Sequence, residues 1–191
     1  VILVTSIAIL EVLKQNSSVH MDTCLAVAGL SLGEYTAHAS AGSMAFADAV
    51  RLVYKRGTYM QEACNAIPGG MASVIGLEDG KVEKICEEVR SLGVICAANY
   101  NCPGQIVISG EKSVLEKAAS LAKERGARMV VPLKVDGAFH SGLMSPAGSR
   151  LSKELGSTPI FKSSVPVVAN IHAQYVSEPD EIRVSLAKQL D

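Results

Sequence analysis

One motif in the sequence has residue types and spacing that fit nucleophilic catalysis. Gly29-x-Ser31-x-Gly33 follows an apolar run over residues 25–28, which predicts a buried strand, and precedes a stretch that predicts a helix over residues 32–41. A serine between two glycines at a strand-to-helix turn is typical of a nucleophile elbow, in which the turn lifts the hydroxyl clear of the backbone. The glycines would let strand and helix approach closely. We therefore predict that Ser31 is a nucleophile.

The start of the helix after Ser31 would supply the electrostatics that such a nucleophile needs. Free backbone N–H groups at a helix N-terminus favour a developing negative charge. The N–H of Leu32 is well placed to be one oxyanion donor. The alternative is a glycine-rich turn in which Ser31 only caps the helix.

A serine hydroxyl is a weak nucleophile and needs an adjacent base, for which the sequence offers four histidines. His20 and His172 lie in polar loops, and His38 lies two turns along the helix from Ser31, too far to take its proton. His140 is the best candidate, because the apolar residues before it would hold it inward as the chain re-enters the main domain. The alternative is a structural histidine.

An arginine interrupts the apolar stripe of the helix predicted over residues 46–65. The stripe has helical spacing and consists of Phe46, Ala49, Val53 and Met60. Arg56 falls on the same stripe, and a guanidinium that faces inward needs an anion because it cannot lose its charge. That anion is either an internal carboxylate or the carboxylate of a substrate, which arginine can hold with two hydrogen bonds. A side chain that reaches solvent along its stem is the remaining alternative.

The elements that would position these residues form an α/β protein. Residues 69–135 predict the order β-α-β-β-α-β, which is the ferredoxin-like arrangement and forms an inserted small subdomain. Residues 1–68 and 136–191 predict a discontinuous α/β-hydrolase-like core with a parallel sheet and the nucleophile elbow. The first helix is predicted over residues 1–15 and ends in Asn16-Ser17-Ser18.

Composition excludes several other classes of protein. Hydrophobic residues make up 48% of the 191 residues and charged residues 19%, which fits an ordinary globular protein. A net charge of −1 and an aromatic content of 4% argue against nucleic acid as a partner. No apolar run is long enough to cross a membrane. The five scattered cysteines lack metal-ligand spacing and predict reduced thiols.

Four motifs, in this order, resemble those of malonyl-CoA:acyl carrier protein transacylases. They are Gly29-Leu30-Ser31-Leu32-Gly33-Glu34-Tyr35, Arg56-Gly57 with Met60-Gln61, Asn99-Tyr100-Asn101-x-Pro103-Gly104-Gln105, and Gly137-Ala138-Phe139-His140. The resemblance covers nearly the whole chain.

The resemblance implies a role for each predicted site residue. Ser31 would carry malonyl as an ester, His140 would be the base, and Arg56 would hold the malonyl carboxylate. The pair Ala138-Phe139 is typical of members that prefer malonyl to methylmalonyl groups. The other substrate-binding residues would be Leu32, Asn99, Asn101 and Phe139.

The resemblance also implies the partners and the location. The substrates would be malonyl-CoA and phosphopantetheinylated acyl carrier protein, with no cofactor, metal, nucleic acid or membrane, and the protein would be a monomer. Leu30 replaces the histidine that most members have before the serine. It resembles plastid-type members and predicts the plastid stroma, with the bacterial cytoplasm or mitochondrion as alternatives.

Two family segments are not found in this sequence, a Gln/Gly-rich oxyanion loop before Val1 and a segment after Asp191 that orients the histidine. We therefore expect a fragment that lacks both ends. Two other functions stay open: a serine esterase or thioesterase that uses the same elbow, and a non-catalytic module that binds acyl carrier protein.

Overall fold

The computed structural model describes residues 1–16 and 20–191, which divide into two units. The first unit comprises Val1–Gly57 and Gly148–Gln189, and the second comprises Thr58–Ala147 and Leu190–Asp191. The helices are α1 (Ile2–Asn16), α2 (Leu32–Ser40), α3 (Phe46–Ala66), α4 (Asp79–Val89), α5 (Lys112–Glu124), α6 (Ser145–Ser157) and α7 (Pro179–Lys188). The strands are β1 (Val27–Ala28), β2 (Gly69–Ile75), β3 (Ile95–Cys102), β4 (Gln105–Glu111), β5 (Met129–Pro132), β6 (Val167–Val168) and β7 (Tyr175–Val176).

The first unit contains a small sheet in the order β1-β6-β7. Strands β1 and β6 are parallel, with Val27 opposite Val167, whereas β7 runs antiparallel to β6. Helix α2 contacts both parallel strands and also packs on α1. This arrangement confirms the predicted α/β core with parallel strands and an elbow. Strand β7 was not predicted, because a two-residue strand leaves no alternation to recognise.

The strand that leads into the elbow is shorter and less buried than predicted. The apolar run predicted a strand over residues 25–28, but only Val27–Ala28 pair, and residues Met21–Thr23 before them form a 3₁₀ turn. Leu25 precedes the strand and is 90% exposed. Strand β1 lies at the edge of the described sheet, so it gains hydrogen-bonded neighbours on one side only.

The second unit contains a four-stranded antiparallel sheet in the order β3-β4-β2-β5. Helices α4 and α5 connect its strands and pack on it. The element order and strand order together confirm the predicted ferredoxin-like subdomain. All of its strands lie inside residues 58–147, and the predicted bounds of 69–135 stay a prediction.

An apolar core holds this sheet and its two helices together. Ile106 and Ile108 alternate along β4 and are each 1% exposed, as a strand covered by helices requires. The central members of the core are Ala72, Val74, Val82, Ile85, Val114 and Ala118.

Helix α1 ends at Asn16, in agreement with the prediction, while the predicted stop residues Ser17 and Ser18 lie outside the described residues. Across the part of the chain that the structure describes, we find no helix with the length and apolarity that a membrane crossing requires.

Candidate active site

The turn at Ser31 has the strained backbone of a nucleophile elbow. Ser31 precedes α2 with φ 53° and ψ −108°, in the left-handed region that residues with a side chain rarely adopt. Gly29 is essential to the turn, because a Cβ at this position would overlap the carbonyl group of Gly33. A Cβ at Gly33 would meet open space. The predicted close approach therefore depends on the first glycine of the motif and not on the second.

A distant asparagine side chain holds this turn in place. Oδ1 of Asn170 accepts a hydrogen bond from the backbone N–H of Ser31 at 2.6 Å. Nδ2 of Asn170 donates to the carbonyl oxygen of Gly29 at 2.8 Å. Two such bonds offset backbone strain, which costs on the order of 1–3 kcal/mol. Sequence reasoning missed Asn170, because it lies 139 residues from Ser31 and carries no local signal.

The backbone of the first turn of α2 leaves one donor available. The N–H of Gly33 bonds to the carbonyl of Leu30, and the N–H of Glu34 bonds to the carbonyl of Ser31. Within residues 1–16 and 20–191, no acceptor bonds to the N–H of Leu32. This is the donor that the sequence predicts for an oxyanion.

Arg56 lies beside Ser31 and is buried, with 5% exposure. Its Nη2 donates to Oγ of Ser31 at 2.8 Å and to Oε1 of Gln189 at 3.3 Å. Its guanidinium lies over the ring of Tyr35, 5.7 Å from the ring centroid. The predicted inward orientation of Arg56 is therefore confirmed. The prediction was wrong for Phe46, which is 46% exposed at the first position of α3.

The described residues give Arg56 no carboxylate in direct contact, since both acceptors of its Nη2 are neutral. The nearest acidic influence is Glu34, a fully buried side chain whose charge acts on Arg56 electrostatically. Burial raises the pKa of Glu34 and lowers the pKa of Arg56. Arginine starts from a pKa far above neutrality, so Arg56 stays a cation. Within residues 1–16 and 20–191, its positive charge is thus buried without an ion pair.

Gln189 is a second residue that sequence reasoning missed. Its side-chain nitrogen donates to the carbonyl oxygen of Ser31 at 3.1 Å and to Oε2 of Glu34. A signal for it exists in the sequence. Ile182 and Leu186 are fully buried on α7, and Gln189 follows at helical spacing, so a polar residue continues an apolar stripe there as Arg56 does on α3.

His140 belongs to the second unit, in a segment that strands β3 and β4 hold. Sγ of Cys96 donates to the carbonyl of His140 at 3.2 Å, and Oγ of Ser109 donates to the carbonyl of Phe139 at 2.6 Å. His140 has φ 57° and is half-buried. Backbone strain anchored by side chains is typical of functional sites. The role of His140 as a base stays a prediction.

The other predicted substrate-binding residues of the second unit differ in exposure. Asn99 is half-buried and Asn101 is exposed, and both lie in β3. The strand continues past Asn101 to Cys102, with irregular pairing after Ala97 and after Tyr100. Their roles, and that of the half-buried Phe139, stay predictions.

The remaining three histidines are either exposed or fully buried. His20 and His172 are exposed. His38 is fully buried, and its Nδ1 lies 3.0 Å from Oγ of Ser43. Because that hydroxyl donates to the carbonyl of His38, it accepts from Nδ1–H. Burial lowers the pKa of His38 to about 4, so the ring is neutral near pH 7.

No group of three or more histidine, cysteine or acidic side chains in residues 1–16 and 20–191 could hold a metal ion.

Comparison with known proteins gives the family. The sequence matches the acyl transferase domain over residues 1–187. The chain belongs to the acyl transferase domain family. Malonyl CoA-acyl carrier protein transacylase of Bacillus subtilis is a relative of 43% identity over 190 residues, which cover 99% of this chain and 59% of the relative.

Solved acyl transferases also share the fold. The crystal structure of FabD from Acinetobacter baumannii has a TM-score of 0.92 at 38% identity, and the match covers 98% of this chain and 59% of that one. A malonyl-transacylase in complex with a type II PKS acyl-carrier protein has the same TM-score at 36% identity, covering 98% and 60%. This chain therefore spans somewhat over half the length of the acyl transferases that it matches.

Proposed function

We propose that the protein containing this chain transfers malonyl groups from malonyl-CoA to the phosphopantetheine thiol of acyl carrier protein. The observation that carries the proposal is the contact between Arg56 and Ser31. Arg56, a buried cation that forms no ion pair with any residue that the structure describes, bonds to the hydroxyl of a serine on a strained elbow. A substrate that brings its own carboxylate would complete this site, and malonyl is such an acyl group. The matched relative from Bacillus subtilis is named a malonyl CoA-acyl carrier protein transacylase, and the matched enzyme solved with an acyl-carrier protein is named a malonyl-transacylase.

The chemistry proceeds in two acyl transfers. Oγ of Ser31 attacks the thioester carbonyl of malonyl-CoA, its proton passes to His140, and CoA leaves as the thiol with that proton. The carrier thiol then gives its proton to His140 and attacks the ester, and Ser31 regains the proton as it leaves. The N–H of Leu32 donates to the oxyanion in both steps. Arg56 holds the malonyl carboxylate, which fixes the acyl group between the two transfers.

Supporting roles are assigned to the remaining predicted residues. Asn99, Asn101 and Phe139 would contact substrate, and the reaction would use side chains and backbone alone, without a cofactor. The partner is acyl carrier protein, supported by the relative that was solved in complex with one. We keep a monomer as the working assembly. The plastid location rests on Leu30 alone and stays a prediction, since the relatives named above with an organism are bacterial.

A transfer assay tests the proposal. The natural gene product that contains these residues is mixed with labelled malonyl-CoA and phosphopantetheinylated carrier, and label on the carrier is measured over time. We expect Ser31→Ala and His140→Ala to abolish transfer. Arg56→Ala should lose malonyl transfer by about 100-fold or more and gain transfer of neutral acyl groups. Arg51→Ala is the matched control, because Arg51 lies on the same helix but is exposed.

The alternatives give different results in the same assay. A serine esterase or thioesterase would release free malonate or hydrolyse neutral esters, and Arg56→Ala would leave the hydrolysis of neutral esters unchanged. A module that only binds acyl carrier protein would bind the carrier and move no label. Either outcome would contradict the proposed transfer.

A further inference from the structure

The side chain of Gln189 joins the three polar groups at the elbow. It is 7% exposed, and its amide both donates and accepts hydrogen bonds. Nε2 donates its two hydrogens to the carbonyl oxygen of Ser31 and to the carboxylate of Glu34. Oε1 accepts from Nη2 of Arg56. Since the carbonyl of Ser31 can only accept and the guanidinium of Arg56 can only donate, a reversed amide would lose both of these bonds. The orientation of Gln189 is therefore fixed.

This orientation determines which atom of Gln189 lies against the guanidinium of Arg56. The amide of Gln189 presents a neutral oxygen to the guanidinium and turns its donors toward Glu34. Oε2 of Glu34 accepts from Gln189 and from the backbone N–H of Asn170 at 3.2 Å, while Oε1 is buried without a hydrogen-bond partner among the described residues. A carboxylate in direct contact with Arg56 would neutralise it and compete with a carboxylate on the substrate. Gln189 thus engages Oε2 of Glu34, and Arg56 forms no ion pair with the described residues.

We propose that Gln189 is a positioning residue that holds Arg56 toward Ser31 and thereby sets the preference for acyl groups that carry a carboxylate. This inference rests on the proposed function. It concerns the side-chain amide of Gln189, which acts through Arg56 and touches no reacting atom.

The experiment measures loading of Ser31 with two acyl groups in the natural gene product. Rates of acyl-enzyme formation from malonyl-CoA and from acetyl-CoA are followed by intact mass, and their ratio is the readout. Gln189→Met has nearly the same size and removes the three side-chain hydrogen bonds named above. Gln189→Glu keeps the shape and places a carboxylate against Arg56. Gln174→Met is the matched control, because Gln174 is an exposed residue of the same unit.

We expect both Gln189 variants to lower the malonyl-to-acetyl ratio by about ten-fold or more, the effect of losing one hydrogen bond to a charged group. The control should keep the ratio of the parent protein. In an Arg56→Ala background the ratio should already be low, and Gln189→Met should not lower it further, because positioning has no effect once the guanidinium is gone. A purely structural role would instead slow both substrates equally in either background.

Two results separate failure of this inference from failure of the proposed function. An unchanged ratio in both folded Gln189 variants, with a parent protein that prefers malonyl, overturns the role of Gln189 and leaves malonyl transfer standing. A parent protein that shows no preference for malonyl overturns both. Circular dichroism of each variant identifies loss of folding, and if Gln189→Met unfolds, the ratio in Gln189→Glu decides.

Discussion

The two units use buried residues in opposite ways. The ferredoxin-like sheet of the second unit encloses an apolar core in which side chains from β2, β4, α4 and α5 pack together. The region around the elbow in the first unit buries Glu34, His38, Arg56 and Gln189 instead. Its described strands have two residues each, whereas β2 and β4 have seven. Hydrogen bonds between distant residues therefore hold the elbow, and apolar packing holds the sheet.

This difference follows from the cost of burying polar groups. An apolar side chain gains free energy from burial, while a buried charge loses hydration and needs hydrogen bonds to recover it. A region that keeps an unpaired guanidinium gives up stability that an apolar core would provide. We therefore predict that substitutions in the sheet mainly change the free energy of unfolding, whereas substitutions at Arg56 mainly change the rate of acyl transfer.

The largest loss of stability is expected from the core of the second unit. Ile106→Ala should lower the free energy of unfolding by about 4 kcal/mol, because it leaves a cavity under two helices. Urea unfolding checks this value. Val131→Ala is the control in the same sheet, where the side chain is 38% exposed, and should cost less than about 1 kcal/mol. Equal losses in the two variants would show that this core is not the main source of stability.

A smaller effect, and one that depends on pH, is expected from His38. Its pKa of about 4 in the folded protein lies below the ordinary value of 6.5, so the unfolded chain binds the proton first as the pH falls. The stability that the neutral ring contributes is complete above pH 6.5 and is lost between pH 6.5 and 4. The loss is on the order of 3 kcal/mol.

His38→Asn keeps a nitrogen donor near Ser43 and removes the titration. Its free energy of unfolding should therefore change less than that of the parent protein over the same pH range. Parallel pH profiles for the two proteins would contradict the assigned pKa.

The two glycines of the elbow should differ in sensitivity. Gly29→Ala would push a Cβ into the carbonyl group of Gly33 and should cost about 2 kcal/mol or more. Gly33→Ala has open space in the first turn of α2 and should be neutral or stabilising by up to about 1 kcal/mol. Thermal unfolding of the two variants measures the contrast. If Gly33→Ala were the more damaging change, the account of the turn would be wrong.

The smallest change in stability is expected at Arg56. In Arg56→Met the lost hydrogen bonds are offset by removal of a costly buried charge, so the free energy of unfolding should stay within about 1 kcal/mol. Leu52→Ala, a buried apolar position on the same helix, should cost about 2–4 kcal/mol. Chemical unfolding compares them. A loss at Arg56 as large as at Leu52 would mean that the arginine is retained for stability.

Sequence patterns predicted the parts of the molecule that depend on local spacing. The alternation of apolar residues and the turn residues between 69 and 135 predicted the ferredoxin-like order of elements. The apolar stripe along α3 predicted that Arg56 is buried. The glycines around Ser31 gave the elbow. Each of these signals comes from spacing within single elements and from the turns between neighbouring ones.

The parts that were missed depend on contacts across the chain. Asn170 and Gln189 bond to Ser31 from 139 and 158 residues away. Asn170 carries no local signal, and the apolar stripe of α7 indicates that Gln189 faces inward but not that it bonds to Ser31. Strand β1 was predicted too long, because an apolar run indicates burial but does not show how many residues find a pairing partner. The polar network that holds the elbow was therefore the least predictable part of the candidate site.

One measurement tests the central claim most directly, namely that the polar network of the first unit exists to form an ester at Ser31. The natural gene product is incubated with malonyl-CoA, digested, and searched by mass spectrometry for a malonyl group. We expect the modification on the peptide that contains Ser31, and its absence in Ser31→Ala. An unmodified Ser31 peptide, or a malonyl group that persists in Ser31→Ala, would contradict the account.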